Sequence, residues 1–245
     1  MSDDWNFYRL RVDDEPASIF LDMGIASSAP LEGYHHRAYI RVRMLNPRAD
    51  GMSSQEEFDA LISLEDAVTL RIAAESSSVY VGRNTSGGNR DLYFYTTDGP
   101  AFEILANSAM AAFPIYSFES GWDVDPDWRV YFEFLYPSPK SEQQMANRSV
   151  VENLAKHGDR ADQPRQIDHL AIFTDVAKCA AFSRYVIQEG YVIGEESPRM
   201  DQGELRLEFF KAGTPAGIDD ITMPLFEAAL KHGGEYDGWG CIVVT

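Results

Sequence analysis

The sequence predicts an α+β protein of two domains, and three observations carry that prediction. Short runs of alternating apolar and polar residues recur between turn signals, as half-buried strands do. Two longer stretches, about Ser54–Ala74 and Glu142–His157, instead repeat their apolar residues at helical spacing. Between the halves lies Pro137-Ser-Pro-Lys-Ser-Glu-Gln-Gln, where two prolines stop a strand and polar residues follow, as in a linker. The expected domains are 1–137 and 141–245.

In the first half, Trp5–Val12 alternates, and Asp13-Asp14-Glu15-Pro16 turns the chain into a strand over Ser18–Met23. A third strand runs over about Tyr34–Met44. Ser53 and Ser54, followed three residues later by Glu56 and Glu57, give a capping-box start to the helix. Its apolar residues are Phe58, Leu61, Ile62, Val68 and Ile72. Val79–Arg83 and Asp91–Thr97 read as a hairpin across Thr85-Ser-Gly-Gly-Asn89. Asp98 caps a second helix, with Pro100 near its first turn. Ile115–Glu119 and Arg129–Tyr136 read as strands, separated by an aromatic-acidic loop with Trp122, Asp123, Asp125, Asp127 and Trp128. The order βββαββαββ makes a mostly antiparallel sheet with two helices.

In the second half, Val150, Val151 and Leu154 share one side of the Glu142–His157 helix, which Gly158 ends. Ile167–Thr174 is a strand. Asp175 caps a helix through Glu189 with Gly190 after it, and Val176, Cys179, Ala180, Val186 and Ile187 form its stripe. Tyr191–Glu195 and Leu205–Lys211 are strands joined through Asp201-Gln-Gly203. A helix over Ile221–His232, with Pro224 in its first turn, stops at Gly233-Gly234, and Glu235–Val244 is the final strand. After the leading helix the order is βαββαβ, the ferredoxin-like split.

At 44% hydrophobic and 12% aromatic, 245 residues support a packed core, which excludes wholesale disorder. A net charge of −18 repels phosphate backbones, so direct nucleic-acid binding is not expected, and basic protein partners are. The one basic stretch is Arg37, Arg41, Arg43 and Arg48. Its first three members share a strand face, and a half-exposed strand explains them as well as a phosphate site does. No apolar run approaches the ~18 residues of a membrane span. The start, Met1-Ser-Asp-Asp-Trp, lacks the apolar core of a signal peptide, so a cytoplasmic protein is expected. Cys179 and Cys241 lack zinc-ligand spacing and read as two buried reduced thiols, so neither metal nor cofactor is expected.

Chemistry-bearing residues are sparse. His35 and His36 are adjacent on a strand and point to opposite faces, so they cannot share a metal. Asp123, Asp125 and Asp127 have Pro126 among them, Trp128 at the sixth position and Phe134 at the twelfth, which argues for a solvated acidic loop over a calcium loop. Arg83 and Arg90 flank the hairpin, where they either clamp an anion or pair with Asp91 or Asp98. His169 is a lone histidine beside Leu170 and Ala171 and reads as half-buried. No nucleophile elbow, phosphate loop or zinc signature appears, so no catalytic residue is assigned and a non-enzymatic role is expected.

Glu235-Tyr236-Asp237-Gly238-Trp239-Gly240 is the densest motif. Asp237-Gly238 signals a turn or bulge, and Gly240 leaves room beside the Trp239 indole. Trp239 reads either as a core anchor or as a partner contact. From about Glu142 to Val244 the chain resembles the RraB family, protein regulators of the bacterial ribonuclease RNase E. The resemblance runs through Arg148-Ser-Val-Val-Glu-Asn-Leu154, Ile167-Asp168-His169 and Gly190-Tyr191-x-Ile193. It continues through the Ile218–His232 helix into Tyr236, Asp237, Gly238, Trp239 and Gly240. It implies a ferredoxin-like fold and a non-enzymatic regulator that binds a basic segment of RNase E or a related protein and inhibits RNA decay. The family's best-known form continues into a long acidic tail, whereas this sequence ends at Val243-Val244-Thr245. Residues 1–137 resemble a bacterial domain family of unknown function, through Tyr80-Val-Gly-Arg83 and Arg90-Asp-Leu-Tyr-Phe-Tyr-Thr96 after the Glu56-Glu57-Phe58 helix. Two other readings stand beside the regulator. One is a ligand-binding or enzymatic first domain, working at Arg83 and Arg90 with the second as its docking unit. The other is an interaction protein with an unrelated partner.

Overall fold

The computed structural model describes residues 2, 4–12, 14–75 and 77–245; Asp13 of the predicted first turn, and Met1 and Asp3 of the acidic start, lie outside them. The chain divides into two compact units, Met1–Pro137 and Ser138–Thr245.

In the first unit, β1 (Trp5–Val12), β2 (Glu15–Asp22), β3 (His36–Arg43), β4 (Ser78–Ser86), β5 (Asn89–Thr96) and β6 (Phe118–Val124) form one sheet in the order β1-β2-β4-β5-β3-β6. Every pairing in it is antiparallel. Alternation fixes the buried face. Ala38, Ile40 and Val42 of β3 lie with Leu92 and Phe94 of β5 under α1 (Gln55–Glu75) and α2 (Gly99–Met110). Leu61, Leu64, Val68 and Ile72 supply the stripe of α1, and Phe102 and Ala106 that of α2. Asp98 caps α2 through the Ala101 amide at 3.0 Å. The start of α1 makes half of a capping box. Ser54 accepts from the Glu57 amide, but the Glu57 carboxylate turns away to the Leu45 and Asn46 amides at 2.8 and 2.7 Å.

The predicted last strand of this unit, Arg129–Tyr136, is instead a π-helix over Val130–Leu135. Its aromatic residues suit a strand in isolation, yet the buried pair Tyr131 and Leu135 is four apart, with Phe132 and Glu133 exposed between them. The Tyr136 amide closes on the Tyr131 carbonyl at 2.7 Å. Asp125 nucleates this turn rather than being solvated. It is buried, and its carboxylate accepts from the Arg129 and Val130 amides and the Tyr95 hydroxyl. Burial pushes that carboxyl up, and these three hydrogen bonds outweigh it and hold it below its ordinary range. The strand predicted at Ile115–Glu119 lies further on, and β6 takes in Trp122 and Asp123.

In the second unit, α3 (Pro139–Lys156) begins inside the predicted linker. Ser138 caps it through the Ser141 amide at 3.2 Å, and Pro139 sits in the first turn, where its missing N–H costs little. Then follow β7 (Arg165–Phe173), α4 (Val176–Gln188), β8 (Val192–Ile193), β9 (Arg199–Asp201), β10 (Glu204–Gly213), α5 (Asp219–Lys231) and β11 (Glu235–Gly240). The sheet order is β11-β7-β10-β8, antiparallel, with the short β9 added on β10. Leaving β9 aside, the first and third strands, β7 and β10, are central and β8 and β11 flank them, which is the ferredoxin-like split. Ala171, Phe173, Leu207 and Phe209 pack under Cys179, Phe182 and Val186 of α4 and Leu225 and Ala229 of α5. The last strand ends at Gly240 rather than Val244. Beyond it the chain is tied sideways, with the Val244 amide on Asp159 at 2.7 Å and the Arg160 amide on the Val244 carbonyl at 2.8 Å. Cys179 is buried, whereas Cys241 lies past the strand and is only half-buried; both are free thiols.

Candidate functional site

The 235–240 motif folds as an edge strand with a defect in it. β11 pairs Tyr236 with Ala171 and Trp239 with His169, and the register shifts between Tyr236 and Gly238. The extra residue lets Tyr236 and Trp239, three apart, both face the helices, because Ala171 and His169 are inward residues of β7. Gly238 absorbs the bulge at φ 139°, where a side chain would be strained. Asp237 is thereby turned to the opposite face, 3.6 Å from Arg206.

Tyr236 is buried, and its hydroxyl shares a 2.8 Å hydrogen bond with His169 Nδ1. His169 is 2% exposed, stacked on Phe209 and edge-on to Tyr191, and its Nε2 has no hydrogen-bond partner among the described residues. Burial lowers the imidazole from its usual 6.5 to about 4 and raises the Tyr236 phenol. Because the folded value lies below the unfolded one, the unfolded chain takes the proton first. The stabilisation is complete above about pH 6.5 and is lost as pH falls toward 4, by up to about 3 kcal/mol. A ring-proton NMR titration should place His169 near 4; a value near 6.5 would remove it as a source of acid lability.

Trp239 is half-buried, between the two readings of it. Its indole N–H donates to Asn147 Oδ1 at 3.0 Å. Asn147, 1% exposed on α3, also accepts from Gln143 and donates to Asp219 and Thr222 at 2.7 Å each. This network fastens α3 to α5 and β11. Asn147 was not singled out from the sequence, although Gln143 and Asn147, four apart, are polar residues on the buried side of a helix. Trp239→Phe should cost about 1 kcal/mol, since Asn147 Oδ1 keeps Gln143 as a donor; denaturant titration checks it.

Two recesses flank the motif. A groove of about 600 Å³ runs between the start of α3, the end of α5 and residues 233–237. Ile172, Phe226, Leu230 and Tyr236 give it an apolar floor. Its charged lining is Glu142, Glu204, Glu235 and Asp237, with no lysine or arginine among the described residues. A second recess of about 540 Å³ lies over the β7–β10–β11 face, with Leu170, Phe210 and Trp239 beside Asp168, Glu208 and Asp237.

In the first unit the hairpin does bring Arg83 and Arg90 together, and the carboxylate between them is the chain's own Glu65. Arg83 Nη1 donates to it at 2.6 Å and Arg90 Nη1 at 3.3 Å, with the Tyr80 hydroxyl at 2.8 Å. Three of the four arginines of the basic stretch are likewise partnered. Arg37 pairs with Asp123, Arg41 with Asp91 through two bonds, and Arg48 with Asp50. His35 precedes β3, and His36 lies edge-on to Trp122. Among the described residues no cluster of His, Cys, Asp or Glu is placed to hold a metal ion, and no helix is long and apolar enough to cross a membrane.

Fold and motif define an α+β protein whose second unit is a ferredoxin-like domain closed by a bulged Tyr-Asp-Gly-Trp-Gly edge strand. The chain belongs to the family of unknown function DUF695, whose model matches residues 3–136, and residues 144–241 match the family described as regulator of ribonuclease activity B. No match was found among curated proteins. Among solved structures, an unknown protein from Galdieria sulphuraria is similar over 85% of this chain and 99% of its own, at 12% identity and a TM-score of 0.22, too low to carry an argument.

Proposed function

We propose that the chain is a non-catalytic, cytoplasmic regulator of ribonuclease activity. Its second unit docks on a basic segment of RNase E or a related protein and restrains RNA decay. The observation that carries this reading is the match of residues 144–241 to the regulator of ribonuclease activity B family, spread over the whole ferredoxin-like unit. Charge supports it. A protein of net charge −18 attracts arginine-rich disordered segments and repels RNA itself. Arg83 and Arg90, which a ligand-binding first unit would need, close on Glu65 instead.

The test is binding of the purified full chain to the C-terminal scaffold segment of the host's RNase E, at low and high salt. The expected result is association that weakens as salt rises, because exposed charges are screened beyond about 10 Å at 0.1 M. Absence of binding at low salt would sink the ribonuclease reading.

A further inference from the structure

We infer that the groove beside β11 is the docking face of the second unit, and that its occupant is an extended, Lys/Arg-rich protein segment carrying apolar side chains. This deepens the ribonuclease reading and rests on it for the partner's identity, but the chemistry of the occupant comes from the groove.

Charge is the first argument. Every charged side chain lining the groove is a carboxylate, and they come from three elements: Glu142 of α3, Glu204 of β10, and Glu235 and Asp237 of β11. Glu142, Glu204 and Glu235 are exposed, and among the described residues none of them makes an ion pair. Asp237 lies 3.6 Å from Arg206, but the other three exposed acids, which have no such partner among the described residues, repel one another and attract a cation. Elsewhere in this unit Glu227 pairs with Lys140, Glu152 with Arg148 and Glu208 with Arg199, while Glu189, Glu195 and Glu196 are exposed acids outside the groove.

The floor is the second argument. Leu230 is 53% exposed, and Phe226 and Ile172 are half-buried, in a recess large enough for side chains. A small inorganic cation or a polyamine gains little from such a floor, whereas a peptide with apolar residues between its basic ones covers floor and rim together. The shape of β11 is the third. It is the edge strand of its sheet, so among the described residues no strand pairs with its outer side, and an edge strand is the usual template for an added extended segment. A Cβ at Gly240 would meet nothing within 4 Å, so the strand's outward face is open at its end. Asp237 lines both recesses.

The test uses the full chain and two probes: the C-terminal scaffold segment of RNase E, and a synthetic twelve-residue peptide of alternating arginine and valine. The triple variant Glu142→Gln, Glu204→Gln, Glu235→Gln is compared with a control of equal charge change, Glu189→Gln, Glu195→Gln, Glu196→Gln. Unchanged thermal melting shows that both remain folded. The groove variant should weaken binding of whichever probe the native chain takes by about tenfold or more, and the control by less than about twofold. Equal losses in the two variants, or none in either, would overturn the groove as docking face while leaving the ribonuclease reading intact. Groove-dependent binding of the synthetic peptide without binding of the scaffold segment would keep the groove and remove RNase E as its partner. Failure of the native chain to bind either probe would overturn both.

Discussion

Glu65→Gln should destabilise the first unit by about 3–5 kcal/mol, the cost of leaving buried charge uncompensated. Glu65 sits on α1 with its side chain 5% exposed. It is the sole carboxylate that the side chains of Arg83, 15% exposed, and Arg90, 1% exposed, pair with among the described residues. Burial and the nearby Arg83 charge already lower Arg90 below its ordinary value, and Glu65 is what opposes them. Glutamine keeps the shape and one acceptor but removes the charge, so two guanidinium groups are then left in a largely buried site without a counter-charge. Because the cluster is buried, the loss should persist at high salt, unlike that of a surface pair. A companion variant makes the attribution specific. Glu65→Gln combined with Arg90→Gln should be less destabilised than the sum of the single changes, since the second removes the charge that the first strands. Strict additivity in urea unfolding would show that the cluster does not act as a unit.

That cluster also shows where sequence reading stopped. The helix of α1 was legible because Leu61, Val68 and Ile72 recur on one stripe and Ser54 precedes them. Glu57 and Glu65 lie on the same stripe at helical spacing and are buried with it. An acidic residue on the apolar side of a predicted helix is a signal that a cation waits inside, and the flanking Arg83 and Arg90 were that cation. The second unit was more legible, because all three helices there are followed by a glycine, Gly158, Gly190 and Gly233, and two of them start at a polar cap, Ser138 and Asp175. Asp175 caps α4 through the Lys178 amide, and Gly190 follows it at φ 83°. Its strand order follows from right-handed crossovers rather than from any local run. The motif itself was visible, but the groove beside it was not, because its carboxylates come from positions as far apart as Glu142 and Glu235. The π-helix was illegible for a different reason. Val-Tyr-Phe-Glu-Phe-Leu carries strand propensity, and the deciding bonds come from Asp125 and Tyr95, outside the segment.

Trp128→Ala should cost the first unit about 3–5 kcal/mol, the range for removing a fully buried large aromatic. Trp128 has no exposed surface. It stacks on Tyr95 at 3.9 Å with the rings 9° from parallel, and its indole N–H donates to the Tyr34 carbonyl at 2.9 Å. It thereby holds the entry to the π-helix against the sheet, and its loss also leaves the Tyr34 carbonyl without that donor. The backbone here works against the side chain. Trp128 has φ 54°, a left-handed conformation that costs a non-glycine residue roughly 1–2 kcal/mol. Burial of the indole is what holds the strained turn in place, and this yields an ordering that packing alone does not predict. Trp128→Gly, which loses the same ring but relieves the strain, should be more stable than Trp128→Ala by up to about 1 kcal/mol. Packing alone would make the glycine variant the worse of the two, since it also frees the unfolded chain. An alanine variant more stable than the glycine one, measured by thermal unfolding of both, would show that the turn at Trp128 carries no strain for the indole to hold.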